Sequence, residues 1–497
     1  MANYVGSGWN ALMGVVFIPV YIHYLGIEGY GLFGLLAVMQ AWLTVLDMGM
    51  TPTLTREMAR YTAGAHSPQS IRDLLRSLEL LCIGFAVLIA LGVWAASDWL
   101  AAHWLRADKL PITTVAQAIS IMAILVAMRL VEGVYRGALF GMQKQVWYNS
   151  ATAILATVRH GGAVAVLLWV SPTIEVFFLW QVVISLLSVT VFATSVHGIL
   201  PKAPLPASFS RQAIAGVWKF AGGMIGTNIL VLLLTQLDKV LLSGMLTLET
   251  FGYYSLATAI VGTLAVVTTP IAQAIYPRLV ELLTQNDERS LVSVYHHAAQ
   301  LVTVLSAPVV MALIFFSEGA VFVWSGSASL AESTAPILSA LILGTFLHEL
   351  MIIPYMLQLA HGMTSLAVKV NVVAVLVLVP AIFLVVPRYG AVGAAWIWVA
   401  LNAGYVLISM HIMHHWLIPK EKWGWYVADI LVPICGPIGV VLLAQQFEPA
   451  SYQDRWHWFI FLSVVGAGAL VISTALADRV RSVMFATMGR FFRWQYS

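Results

Sequence analysis

Charge is what this 497-residue chain has least of. Only 9% of its residues are Asp, Glu, Lys or Arg, against about 25% in soluble globular proteins. That scarcity excludes a water-exposed exterior. Cysteine is nearly absent as well: Cys82 and Cys435 fall inside apolar runs and read as buried thiols, not as a disulfide framework. No G-x-x-x-x-G-K phosphate loop is present, so nucleotide hydrolysis by the chain itself is not expected. His348-Glu349 fails the H-E-x-x-H zinc pattern because the fifth position is Ile352. His411, His414 and His415 share a helical face without an acid or thiol, and read as interfacial histidines, as does the pair His296-His297. No metal site is expected. The first apolar run lacks a basic leader, so it is not read as a cleavable signal. No hydrophilic stretch is long enough to fold as a soluble domain, so any function must be carried out within a bilayer.

What the chain has in abundance is apolar sequence: 60% of residues, with mean hydropathy +0.88. Runs of about 20 residues, each long enough to cross a ~30 Å hydrocarbon core, repeat from end to end. They predict an all-α polytopic membrane protein with fourteen spans. The starts fall near Val5, Leu32, Ser77, Ile112, Trp147, Glu175, Lys219, Gly252, Leu301, Ala335, Val368, Val392, Tyr426 and His457. With the N-terminus in the cytoplasm, eighteen of the 25 lysines and arginines lie in inward connections or the C-terminal tail. Four lie outside: Arg106, Lys109, Arg388 and Arg455. By the positive-inside rule both termini are expected in the cytoplasm. The net charge of +3 thus implies anionic lipid headgroups, not nucleic acid, as neighbours. The basic, aromatic tail from Arg479 to Trp494 is expected on the inner leaflet.

The chain also repeats itself. Residues 26–36 read GIEGYGLFGLL and residues 247–257 read TLETFGYYSLA. At an offset of 221, Glu28 meets Glu249, Gly31 meets Gly252, and Gly141-Met142 meets Gly362-Met363. Six spans per copy make a parallel repeat, with an expected site between the halves. The expected organisation is an N-terminal lobe over 1–200, a cytoplasmic linker over 201–218 opening with PKAPLP, a C-terminal lobe over 219–422, and two peripheral spans with the tail over 423–497. A short amphipathic stretch is expected from Phe209 to Trp218.

Arg129, Arg159 and Lys239 fall within spans, where an unpaired charge is costly and therefore a functional candidate. Arg129, Glu132 and Arg136 share one helical face with Gly133, Gly137 and Gly141. They form either a structural pair beside a small-residue packing seam or the cationic wall of a cavity. Arg159, with His160, has no neighbouring acid and is the better candidate for an anion. On the repeat-equivalent span, His348-Glu349 sits at similar depth; Glu349 either carries a coupling proton or neutralises an arginine. Asp238-Lys239 is an interfacial pair or an outer gate, and Asp47 faces a similar choice.

The stretch from Asn3 to Arg60 resembles the bacterial polysaccharide-transporter flippases, through Pro19, the segment LGIEGYGL at 25–32, Asp47-Met48-Gly49 and Arg56. Gln236-Leu237-Asp238-Lys239 and Phe251-Gly252-Tyr253-Tyr254 continue the likeness in the second copy. This family belongs to the multidrug/oligosaccharidyl-lipid/polysaccharide exporter superfamily. The resemblance implies a non-enzymatic flippase of the bacterial inner membrane, moving undecaprenyl-diphosphate-linked O-antigen or exopolysaccharide units by alternating access. It also implies membrane lipids, and other polysaccharide-assembly membrane proteins, as partners. Arg129, Arg159, Arg56 and Lys239 are then expected to bind the anionic headgroup, since guanidinium forks suit phosphate. Asp47, Glu132, Asp238, His348 and Glu349 are expected to couple or gate. No cofactor is expected beyond a coupling H+ or Na+. A drug/cation antiporter of the same fold would put acids instead of arginines in the first lobe. A membrane polymerase or ligase would need larger outer loops than residues 98–111 and 445–456.

Overall fold

The computed structural model describes residues 2–482 apart from 44–46, 48, 364, 450, 451 and 453, with backbone only at 2–7, 11, 216–228, 230, 231, 234 and 235. Most of the expected inner-leaflet tail, from 483 onward, lies outside the described residues. Among those described there is no β-strand, only one backbone bridge between Arg106 and Thr247. The exterior is apolar: Leu88, Leu376, Leu384 and Val464 are all more than half exposed, which suits contact with lipid and not with water. Eleven helices among the described residues are long and apolar enough to cross a membrane; fourteen is the sequence expectation. The chain divides into two compact units, Met1–Gly252 and Tyr253–Ser497.

The first unit contains α1 (Ala2–Val16), α2 (Ile18–Ala41), α3 (Met50–Thr62), α4 (Pro68–Trp99), α5 (Ile112–Gly141), α6 (Gln145–Trp169), α7 (Ile174–Ile199), α8 (Arg211–Met245) and the start of α9 (Leu248–Gly262). Local chemistry sets the ends. Pro19 stands in the first turn of α2, where its missing N–H costs nothing, and Ser67 caps α4 by accepting from Ser70 N at 3.1 Å. Gly26 breaks α2 with φ 72° and ψ 170°, a conformation open essentially only to glycine. Gly49, at φ 72°, starts α3. Arg56 and Arg60, read from the sequence as loop residues, therefore sit on a helix. Its apolar face, Met50, Leu54 and Met58 at a spacing of four, is buried.

Helix α3 packs backbone-close against the glycine face of α5. A Cβ on Gly137 would stand 2.6 Å from Thr51 O, and one on Gly141 would collide with Thr55 O. In lipid, where apolar side chains gain little by leaving the solvent, close approach through small residues is a main source of helix association. The linker is held to α4: Gln69, Asp73 and Ser77, spaced by four, accept from the backbone N–H groups of Leu205, Ser208 and Ser210. Arg72 donates to the carbonyls of Leu200 and Pro201. The expected amphipathic stretch from Phe209 to Trp218 runs into the start of α8. Ser210 caps α8, which runs unbroken from Arg211, because no residue after Ser210 interrupts the helix.

The duplication is visible as a reciprocal contact inside this unit. A Cβ on Gly31 would meet Leu248 O at 2.5 Å, and one on Gly252 would collide with Ile27 O. At the offset of 221, Gly31 maps to Gly252 and Ile27 to Leu248, so each copy presents its glycine to the other's backbone. Glu28 accepts from the N–H groups of Asp108, Lys109 and Leu110, while its counterpart Glu249 pairs with Lys109 Nζ at 2.8 Å.

The second unit contains α10 (Leu264–Thr284), α11 (Glu288–Phe315), α12 (Ser317–Ser325), α13 (Ala328–Leu350), α14 (Ile352–Ala360), α15 (Ser365–Gly404), α16 (Met410–Leu417), α17 (Val432–Ala444) and α18 (Arg455–Leu476). Gly390, at φ 56° and ψ −144°, divides the long run of α15 beside Arg388. Two histidine expectations are corrected here. His296 is not interfacial but 1% exposed, with Nδ1 against Asp429 Oδ2 and Nε2 3.0 Å from Glu421 Oε2. His414 is fully buried, 2.8 Å from Tyr295 Oη, and only His411 and His415 are exposed. Both are buried because their ring nitrogens are satisfied: those of His296 by Asp429 and Glu421, and those of His414 by Tyr295 from α11 and by the Met410 carbonyl of its own helix. Arg479 N and Val480 N also donate to Gln300 Oε1, so α11 anchors the last two apolar helices. Of the two thiols, Cys82 is buried as expected but Cys435 is exposed, on an apolar exterior where a thiol costs little. Among the described residues no group of His, Cys, Asp and Glu could hold a metal ion.

Candidate functional site

A cavity of about 450 Å³ opens in the first unit. It is lined by Asp47, Thr51, Arg129, Glu132, Gly133, Arg136, Tyr148 and Thr152, among others. Helix α5 supplies the charged side because Arg129, Glu132 and Arg136 recur at helical spacing. Gly133, Gly137 and Gly141 on the same face let α3 approach and close the opposite wall. Arg129 Nη1 lies 3.2 Å from Glu132 Oε2 and 3.3 Å from Oε1. The pair is thus formed, and both residues line the cavity. Arg136 is an exposed lining residue that interacts electrostatically with Asp47. Asp47 accepts from Thr51 N at 3.0 Å and Thr51 Oγ1 at 2.8 Å. It is held at the start of α3, where the helix dipole favours negative charge.

The other expected residues are dispersed. Arg159 is buried in α6 and donates to Ser185 Oγ at 3.4 Å; it does not line the cavity. Arg56 is half exposed, 3.7 Å from Glu57 Oε1. Lys239 lies 3.5 Å from Asp238 on α8, again apart from the cavity. In the second unit, Glu349 is buried and accepts the hydroxyl hydrogen of Thr268. The 221 offset carries Asp47 onto Thr268 and Met128 onto Glu349. His348 packs on Trp398 with ring centroids 6.0 Å apart and lines a separate pocket of the second unit.

Sequence reasoning missed Tyr148 and Thr152, which reach the cavity from α6. They are uncharged and carried no signal except their place at the start of a span.

The sequence matches the family described as "Polysaccharide biosynthesis protein" over residues 2–283. The chain belongs to that family. It is 20% identical over 376 residues to a Shigella flexneri protein named "Putative O-antigen transporter", covering 75% of this chain and 87% of that one. The fold is similar to a solved lipid II flippase MurJ in an inward closed conformation, with TM-score 0.68 over 96% of this chain and 98% of that one, at 13% identity. An inward-facing multidrug resistance MATE transporter of the MOP superfamily gives TM-score 0.62 over 84% and 95%, at 14% identity. At such identities the structural likenesses speak for the fold. With eleven helices among the described residues long and apolar enough to cross a membrane, this member of the polysaccharide biosynthesis family is a multi-pass membrane protein.

Proposed function

We propose that this chain translocates a polyprenyl-diphosphate-linked oligosaccharide, an O-antigen or exopolysaccharide repeat unit, from the cytoplasmic to the periplasmic leaflet of a bacterial inner membrane. The observation that carries this reading is the cavity of the first unit, with two guanidinium groups on one face of α5. Arg136 makes no close ion pair among the described residues and has Asp47 only as an electrostatic neighbour, and Arg129 is aimed by Glu132 through one nitrogen, leaving the rest of its fork to a ligand. A diphosphate is the group in such a lipid that needs cations at membrane depth, and arginine stays charged there while offering paired donors. The polyprenyl tail stays in lipid as the glycan passes.

Arg159 lies behind this wall, where it adds positive potential without needing to touch the substrate. Asp47 and Glu349 are the carboxyls suited to carry a coupling H+ or Na+. Arg56, Lys239 and Asp238 stand outside the cavity, and their part is confined to inner- and outer-end gating. The family match and the arginines favour this reading over a drug/cation antiporter. It needs no catalytic step.

The test is surface polysaccharide in a deletion strain carrying Arg129→Ala, Arg136→Ala or both, with membrane abundance checked by blot. Stepwise loss at normal abundance supports the reading. Full polysaccharide from the double variant refutes it.

A further inference from the structure

The second unit holds a pocket of about 230 Å³ lined by His348, Tyr355, Gln358, Asn371, Tyr405 and Ser409 together with Met351, Ile352 and Met410. Its chemistry differs from that of the arginine cavity, since no Asp, Glu, Lys or Arg lines it. Two of its polar side chains belong to largely buried residues and have no protein partner among the described residues. Gln358 is 2% exposed and Ser409 is 6% exposed, yet neither side chain hydrogen-bonds to any described residue. Neither is among the side-chain atoms sealed off without a partner, so both polar groups open onto the pocket, whereas a polar side chain turned into the protein interior is paired there. Gln300 shows the usual state: equally buried, it donates to Ala428 O at 2.9 Å and accepts from Arg479 N and Val480 N.

The backbone aims these groups. A π-helical turn over Tyr405–Ser409 resets the helix phase, a distortion frequent at functional sites, and places both of its end residues on the pocket wall. Tyr405 Oη donates to Asn371 Oδ1 at 3.3 Å, which fixes the orientation of that amide.

We propose that this pocket binds one sugar ring of the glycan, with Gln358, Asn371 and Ser409 bonding its hydroxyl or acetamido groups and Tyr355 and Tyr405 covering a ring face. The inference rests on the flippase reading above and adds to it a subsite for the sugar, separate from the cations for the diphosphate. Amide side chains offer donor and acceptor together, matching hydroxyls that are both. A phosphate would call for cations, which the pocket lacks, while its apolar side, Met351, Ile352, Ala367, Val370 and Met410, suits the carbon–hydrogen face of a sugar ring. Its volume falls below the ~300–1,000 Å³ of drug-sized sites, which fits a single ring and not an oligosaccharide.

The test is the thermal stability of the purified full chain in detergent, titrated with undecaprenyl diphosphate and with undecaprenyl-diphosphate-N-acetylglucosamine. A ligand of the folded state raises the melting temperature in proportion to its affinity. The wild type should respond more to the sugar-bearing lipid. Gln358→Met and Ser409→Ala should lose that increment, binding the sugar-bearing lipid about fivefold or more weakly, while keeping the response to the sugar-free lipid. Gln358→Met should also melt no lower than wild type without ligand, because it replaces an unpaired amide by an apolar chain of similar shape. Four results would overturn the pocket: the increment survives in both variants; the wild type answers both lipids equally; Gln358→Met melts lower without ligand; or neither lipid is bound. Only the last also removes the flippase reading.

Discussion

The α3–α5 seam makes a quantitative prediction because two kinds of glycine occur in the same unit. Gly137→Ala would put a methyl 2.6 Å from Thr51 O, a backbone atom that cannot rotate aside. Gly84 and Gly92 of α4, by contrast, have nothing within 4 Å of an added Cβ. Alanine in an open helical position gains about 0.5–1 kcal/mol over glycine. Inserting a methyl into a packed contact costs about 1–3 kcal/mol. Gly84→Ala and Gly92→Ala should therefore raise the melting temperature of the purified protein in detergent, and Gly137→Ala should lower it. Because Thr51 also binds Asp47, the shift of α3 should reduce polysaccharide export in a deletion strain even where protein abundance is normal. If Gly137→Ala proved as stable and active as Gly84→Ala, helix α3 would not pack on α5 as described.

Exchanging the charges of Arg129 and Glu132 should restore membrane abundance lost in Arg129→Ala, where a mostly buried carboxylate is left unpaired at about 1–3 kcal/mol, but it should not restore export, as polysaccharide staining would show. Asp429→Ala should destabilise the protein by about 3–5 kcal/mol by stripping a buried partner from His296, read as a lower melting temperature and faster proteolysis near residue 479. Gly31→Ala and Gly252→Ala should impair export to similar degrees in the same complementation assay, because the two glycines make the same contact from opposite copies.

Much of this was legible before any coordinates. The Gly133, Gly137 and Gly141 spacing announced a close seam, and the offset of 221 aligned Gly31 with Gly252, though not their contact across the copies. Arg129 and Glu132, three residues apart, could be paired from sequence because a helix brings such positions together. What escaped were contacts between distant segments: His296 meets Asp429 from 133 positions away, so its burial had no local sign. The Gln358 pocket escaped for another reason. Neutral polar residues cost little to place near a span end, so they do not stand out as charges do. Arg159 stood out by charge alone, yet depth in a span did not reveal that its side chain turns to Ser185 on α7. Asp47 and Gly49 did carry a local signal, a cap and a left-handed residue. It was masked by the apolar run in which they sit.

The central claim is movement of a lipid-linked glycan by this chain alone. The direct measurement is its reconstitution into vesicles carrying undecaprenyl-diphosphate-linked oligosaccharide, with an added glycosidase reporting how much glycan reaches the outer face. The account predicts that the purified protein makes inner-leaflet glycan accessible, and that the Arg129→Ala, Arg136→Ala double variant does not. Glycan that stays inaccessible while a cationic dye is transported would contradict it.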